Sequence, residues 1–404
     1  MNQSEKRTNT KPPEITARFL APTTISDSLR PVKVLKSKPA ALLATLFGVC
    51  LPALAQSSVT DDTSAILESL RKKHNLPALA VVVMKDGGIC DRAATGLRRF
   101  GSKTPVTTND VFHIGSCTKS MTATLAAMFI EDGKLRWDST IADVFPELVG
   151  KINKQYEPVT VLQLLTHRGG CPGQPPAAAW SRAWQMQGTP RHQRWVFIND
   201  VLSLPPESPP GEKYIYSNQG YVVAGAMLEK IADKPWETIM RERLFNPLNM
   251  KTAGFGVPGK IGVLDQPWGH VLENEKIRPV QNDNPPSVGP AGTVYCSLDD
   301  LAHYALIHLR GEKDGGLLKA ETFRKLHTPA AGQNYSCGWG VVKSSRAGGK
   351  ILTHTGSNTM WLLLMWLAPE KDFSIIVATN IAGDAAEKSC DEVVTAMIEK
   401  WLPK

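Results

Sequence analysis

The chain has 404 residues, 42% apolar and 21% charged, with a formal net charge of +8. These are ordinary globular proportions, with enough length to bury a substantial core. The charge is not evidence of nucleic-acid binding: residues 1–55 carry +5 of it, the other 349 residues only +3, and no basic stripe is interleaved with aromatics.

Taken in chain order, Lys33, Lys36 and Lys38 precede an apolar run from Ala40 to Ala55 that ends Ala53-Leu54-Ala55. A positive segment, a short apolar core and small residues before the cut describe a secretory signal. The run contains Pro52 and is short for a hydrocarbon core of about 30 Å. Cleavage near Ala55 is therefore expected, with a secreted or periplasmic product and no stable membrane span. Residues 1–55 are assigned to this extension and residues 56–404 to one large domain. Six of the seven cysteines remain after cleavage, without CxxC spacing. Most are expected to be isolated buried thiols, although export would permit one bridge.

The domain opens with a helix expected over 62–73, with Ile66, Leu67 and Leu70 on its apolar face. A strand at 78–84 and a second at about 90–97 flank the turn Asp86-Gly87-Gly88. From 116 to about 326 the pattern is mainly helical, with helices at 116–132, 159–167, 220–232, 235–244 and 297–309. The segment 169–210, rich in Pro, Gly, Trp and Gln, reads as an irregular surface excursion. Its Trp180, Trp184 and Trp195 could line an apolar groove, but packing is the preferred reading. Strands return at 337–342, 350–354, 361–368 and 373–380, and a helix closes the pattern at 386–401. The expected fold class is α/β (α+β). One antiparallel sheet is built from about 60–115 and 330–404, and the mainly helical part, 116–330, is inserted.

Three short motifs carry chemistry. Ser116-Cys117-Thr118-Lys119 opens a helix, so residues three apart share a face and the Lys119 amine can lie beside the Ser116 hydroxyl. A serine needs such a neighbour to become nucleophilic. A second copy of the spacing, Ser69-Leu70-Arg71-Lys72, falls on the polar side of the first helix and reads as solvated surface. Tyr216-Ser217-Asn218 precedes another helix. A phenol titrates near pH 10 unless cations lower it, and Lys119 is the cation available. Asn218 can hold both Lys119 and a substrate carbonyl. His354-Thr355-Gly356-Ser357 ends a strand, where Gly356 lets the backbone approach a ligand. The backbone amides of Ser116 and Ser357 could then form an oxyanion hole.

Together, in this order, the motifs resemble those of the class C β-lactamases, the related D,D-carboxypeptidases and the esterases of the same fold. The likeness extends to Val111-Phe112-His113-Ile114-Gly115, Leu164-Leu165-Thr166-His167, Pro210-Gly211-Glu212-Lys213-Tyr214 and Pro290-Ala291-Gly292-Thr293. Tyr-Ser-Asn stands here where the class A signature has Ser-Asp-Asn. The resemblance implies a β-lactamase/D,D-peptidase-like fold with Ser116 acylated. Lys119 and Tyr216 would shuttle its proton, and Asn218, His354, Thr355 and Gly356 would bind substrate. The substrate would be a small ester, peptide or β-lactam.

Two departures matter. His354 replaces the lysine usual in class C β-lactamases, which weakens the case for a penicillin carboxylate as preferred ligand. Arg168-Gly169-Gly170-Cys171 follows His167 where similar proteins often have Thr-Ser-Gly, and His167 itself is expected to be structural, bonding a helix end. Gly254-Phe255-Gly256-Val257-Pro258-Gly259 matches the dinucleotide fingerprint in letters only and reads as a turn. His192, His270 and His303 show no ligand spacing. The sequence has no HExxH, P-loop or GxSxG, so no metal or nucleotide cofactor is expected. A β-lactamase in the full sense, and a penicillin-binding sensor with negligible turnover, remain the rival readings.

Overall fold

The computed structural model describes residues 58–402; the expected leader and its cleavage site lie outside the described residues. Helix α1 (Ser58–Lys73) begins four residues before its expected start and buries Leu67 completely. The hairpin β1 (Ala78–Lys85) and β2 (Gly88–Gly96) turns at Asp86 and Gly87, both with positive φ, the conformation a tight hairpin needs. β3 (Val111–His113) then leads through a 3-10 turn (Gly115–Cys117) into α2 (Thr118–Glu131), which is almost entirely buried.

Helices α3 (Ile141–Val144) and α4 (Val161–Leu165) each start with a capping box, Thr140 with Asp143 and Thr160 with Gln163. Next come α5 (Ala177–Gln185), α6 (Pro190–Leu202), α7 (Asn218–Ala232) and α8 (Trp236–Met240). The two-residue β4 (Gly254–Phe255) precedes the hairpin β5 (Gly269–Glu273) and β6 (Lys276–Val280), then α9 (Gly289–Gly292) and β7 (Val294–Ser297). α10 (Leu298–Asp314) is capped by Ser297, as its sequence suggests, and α11 (Ala320–Leu326) follows. The chain then returns to strands, β8 (Tyr335–Ser336), β9 (Trp339–Ser344), β10 (Gly349–Ser357), β11 (Leu362–Ala368) and β12 (Phe373–Thr379), before the closing α12 (Asp384–Trp401).

The main sheet is antiparallel, in the order β2-β1-β12-β11-β10-β9-β8. Its centre joins sequence-distant segments, with Val81 opposite Val377. β1 lacks the alternation of a half-exposed strand because both faces are covered. Leu79, Val81 and Val83 pack with Val393 and Met397 beneath α1 and α12, whereas Ala80, Val82 and Met84 join Met121, Leu125 and Leu301 in the helical core. The α/β fold class is as expected from the sequence.

Several local expectations need correction. The segment 169–210 is not a surface excursion. It holds α5 and α6, and α6 buries Phe197, Ile198, Val201 and Leu202. Arg194, fully buried in α6, pairs with Glu229 and Glu237 and breaks the apolar stripe that would have marked the helix. Thr189, capping the His192 amide ahead of Pro190, was the legible start signal. Trp180 and Trp184 pack edge to face at 5.8 Å, and Trp195 packs on Phe145 at 5.5 Å. The β5–β6 hairpin was not foreseen; its turn places Asn274 and Glu275 at positive φ, and glutamate is an unusual residue there. All six cysteines among the described residues are free thiols.

Candidate active site

β10 runs three residues beyond its expected end and carries Thr355, Gly356 and Ser357 opposite Leu364, Leu363 and Leu362 of β11. On its other edge β9 pairs only as far as Thr353. The 3-10 turn Gly115–Cys117 occupies the place β9 vacates. A Cβ on Gly356 would lie 2.0 Å from the Ile114 carbonyl oxygen and 2.9 Å from the Cys117 nitrogen. The glycine is therefore required by the turn that carries Ser116. Gly115 is equally constrained, with φ of +50° and a virtual Cβ 2.3 Å from the Ser357 nitrogen. These two close approaches set the Ser357 amide beside the residue preceding Ser116. Cys117 Sγ donates to the His354 carbonyl at 3.4 Å and closes the same contact.

Ser116 is 7% exposed and Lys119, one helical turn on, is fully buried. Lys119 Nζ lies 3.1 Å from Ser116 Oγ, 2.7 Å from Asn218 Oδ1 and 2.7 Å from the Ala291 carbonyl oxygen. It sits 4.8 Å above the Tyr216 ring, whose hydroxyl hydrogen-bonds the Ser116 side chain. Among the described residues no carboxylate pairs with Lys119. The structure thus gathers Ser116, Lys119, Tyr216 and Asn218 into one cluster, with His354 at its edge, its ring 6.5 Å from that of Tyr216. Thr355 is exposed beside them. Ser69 and Lys72 are exposed on α1, and Lys72 pairs only with Glu68.

His167 holds the Tyr216 segment in place. Its Nδ1 accepts the Ser217 amide at 3.1 Å, its carbonyl accepts the Ile215 amide at 2.9 Å, and Ser217 caps α7. Tyr335, absent from the sequence reading, stands between two histidines, 3.2 Å from His167 Nε2 and 3.4 Å from His354 Nε2. His354 Nδ1 lies 2.7 Å from the Thr355 carbonyl oxygen, so it carries the hydrogen and leaves Nε2 to accept from Tyr335. No short motif marks Tyr335, because only tertiary packing brings it here, whereas Ala291 lies in the Pro290–Thr293 stretch that the sequence already singled out.

The beta-lactamase family pattern matches residues 63–395. The chain belongs to the beta-lactamase family. Among its relatives, penicillin-binding protein 4 of Amycolatopsis lactamdurans is 29% identical over 247 residues, covering 60% of this chain and 62% of that protein. The unguisins hydrolase ungD' of Aspergillus campestris is 23% identical, covering 79% and 61% respectively. The chain spans under two thirds of the length of these curated relatives. The octameric penicillin-binding protein homologue of Pyrococcus abyssi superposes with a TM-score of 0.69 at 25% identity, over 85% of this chain and 79% of that one. Proteins of the beta-lactamase family are serine hydrolases.

The electrostatics of this beta-lactamase-family site follow from burial. Desolvation holds Lys119 well below the usual lysine range. A neutral amine has two N–H groups for Asn218 and Ala291 and a lone pair for the Ser116 hydroxyl, which matches the three contacts observed. The expected lowering of the Tyr216 phenol by Lys119 does not occur: burial pushes Tyr216 above its usual value, so it rests as the neutral hydroxyl. Burial, the largest cause, pulls His354 down to about 3 and holds His167 well below 6.5. Burial also lowers His270, to about 4, and His308.

These histidines give a stability prediction. Each is neutral when folded and titrates near 6.5 when unfolded, so its contribution is complete above pH 6.5 and is lost as pH falls toward the folded value. Each can contribute a slope of up to about 1.4 kcal/mol per pH unit in that window. The urea midpoint is expected to fall between pH 7 and pH 5, above the range where ordinary carboxylates protonate. A midpoint flat over that interval would contradict the buried neutral imidazoles.

Proposed function

We propose that this chain is an exported serine hydrolase that cleaves amide or ester bonds through an acyl-enzyme on Ser116. The carrying observation is the fully buried Lys119 amine, 3.1 Å from Ser116 Oγ and without a carboxylate partner among the described residues. In this reading the neutral amine takes the Ser116 proton as the oxygen attacks the substrate carbonyl. The amides of Ser116 and Ser357 hold the oxyanion. The Tyr216 hydroxyl then passes a proton to the leaving group, and the same groups activate water to release the acyl chain. Asn218 fixes Lys119 and faces the substrate amide or ester, with Thr355 and Gly356 along the strand edge. The names of two relatives, a penicillin-binding protein and an unguisins hydrolase, fit an acyl-transfer site of this kind.

The neutral state of His354 supports the choice of substrate. With its imidazole titrating at about 3, position 354 offers no positive charge to a substrate carboxylate at physiological pH. Uncharged ester and peptide substrates are therefore favoured over β-lactams. Turnover of p-nitrophenyl butyrate or of a D-Ala-D-Ala peptide amide, which carries no free carboxylate, is expected to exceed that of nitrocefin, and Ser116→Ala is expected to abolish all three. Mass spectrometry of the purified mature protein after acylating probes should show the adduct on Ser116 and a chain starting near Gln56. Faster nitrocefin turnover would favour the β-lactamase reading; a long-lived penicillin adduct without release would favour a sensor.

A further inference from the structure

The oxyanion hole of the proposed mechanism needs two backbone amides from different elements. One lies on the turn that follows β3, the other at the end of β10. Backbone packing at Gly115 and Gly356 brings these arms together, and a buried polar group contacts residues next to both.

Asp283, in the loop between β6 and α9, is 6% exposed. Its Oδ1 accepts from Asn358 Nδ2 at 2.9 Å, and His113 Nε2 lies 2.9 Å from the same oxygen. His113 Nδ1 accepts the Gly115 amide at 3.1 Å, which leaves the ring hydrogen on Nε2, and Nε2 meets the carboxylate as a close contact without hydrogen-bond geometry. Asn358 immediately follows Ser357, and its Oδ1 accepts the Met360 amide at 3.3 Å. His113 is fully buried and Asn358 is 4% exposed. The neighbouring Asn284 reaches the Gly292 carbonyl at 3.4 Å, next to the Ala291 carbonyl that receives Lys119.

This carboxylate forms no ion pair with lysine or arginine among the described residues, and its Oδ2 has no protein partner. A buried carboxylate held this sparsely is costly to the fold. Of its two contacts, one leads to the residue before Ser116 and the other to the residue after Ser357. We propose that Asp283 is a positioning residue that ties the two arms of the oxyanion hole together through His113 and Asn358. It touches neither substrate nor reacting atoms. It sets the spacing of the Ser116 and Ser357 amides, and so acts on the transition state rather than on substrate binding.

The test uses the mature enzyme with p-nitrophenyl butyrate, and rests on Ser116 being the acylated residue. Asp283→Ala is expected to lower kcat roughly 10- to 100-fold, less than the 100- to 1000-fold of deleting an oxyanion donor outright. KM should stay within about twofold, because ground-state binding is untouched. Asp283→Asn keeps an acceptor oxygen and is expected to restore most of kcat. Asn358→Ala, which removes only one arm, should lower kcat with KM unchanged, and should add little to the loss in Asp283→Ala. If Asp283→Ala does not fold, the Asn358→Ala result decides. A normal kcat, a loss confined to KM, or a folded Asp283→Asn variant as slow as Asp283→Ala would overturn the proposal. Ester turnover that survives Ser116→Ala would overturn the acyl-enzyme reading instead.

Discussion

Lys119→Met is expected to remove about 100- to 10,000-fold of the acylation rate while leaving the protein folded and at least as stable as before. The rate falls because Ser116 loses the group that takes its proton. Stability is retained because methionine fills similar volume and spares the cost of an amine buried without a counter-charge. Lys119 is held well below its unfolded value of about 10.5, so the folded state binds fewer protons than the unfolded chain between those two values. The native enzyme therefore gains stability as pH rises through that window and pays most below it. The stability advantage of Lys119→Met should accordingly be greater at pH 6 than at pH 9. Stopped-flow acylation by p-nitrophenyl butyrate and urea midpoints at the two pH values check both parts. A variant that is destabilised equally at both, or that keeps near-normal acylation, would contradict the neutral-base role.

Gly356→Ala is expected to be the most damaging single-methyl change in β10. The added carbon would meet the Ile114 carbonyl oxygen at 2.0 Å and the Cys117 nitrogen at 2.9 Å, both backbone atoms. Neither can rotate aside, so the strand and the turn that carries Ser116 must separate. Overpacking of this kind costs about 1–3 kcal/mol, and misplacing the Ser357 amide should cost roughly 100- to 1000-fold in kcat. Ser357→Ala leaves the same amide in place and should change kcat only a few-fold. Parallel kcat values in the two variants would mean that the strand edge acts through side chains rather than through its backbone.

The parts of the site that could be read in the sequence are those written in local spacing. Ser116 and Lys119 lie one helical turn apart, Ser217 caps α7 beside Asn218, and Gly356 sits in a strand. Residues that reach the cluster only through tertiary packing left no such trace. Tyr335 arrives on a two-residue strand, and Asp283 comes from a loop. The charge state of Tyr216 is hidden for a related reason: neighbours are visible in a motif, whereas desolvation is a property of the assembled interior. The fold followed the same division. Continuous apolar runs at 78–84 and 373–379 marked central strands, but α6 was lost because its buried Arg194 is matched by Glu229 and Glu237, both distant in sequence.

The seam between β1 and β12 bears on the order in which this enzyme can come into being. β10 is held by β11, β11 by β12, and β12 by a strand almost three hundred residues earlier. During synthesis the hairpin at 78–96 must therefore wait, with one long edge unsatisfied, until residues 373–379 emerge. Such late, non-local closure slows folding and lengthens exposure to mispairing. It also means that a partly made chain, although it already carries Ser116 and Lys119, lacks the strand edge that lies beside them, so the proposed hydrolytic competence arrives only with the final stretch of sheet.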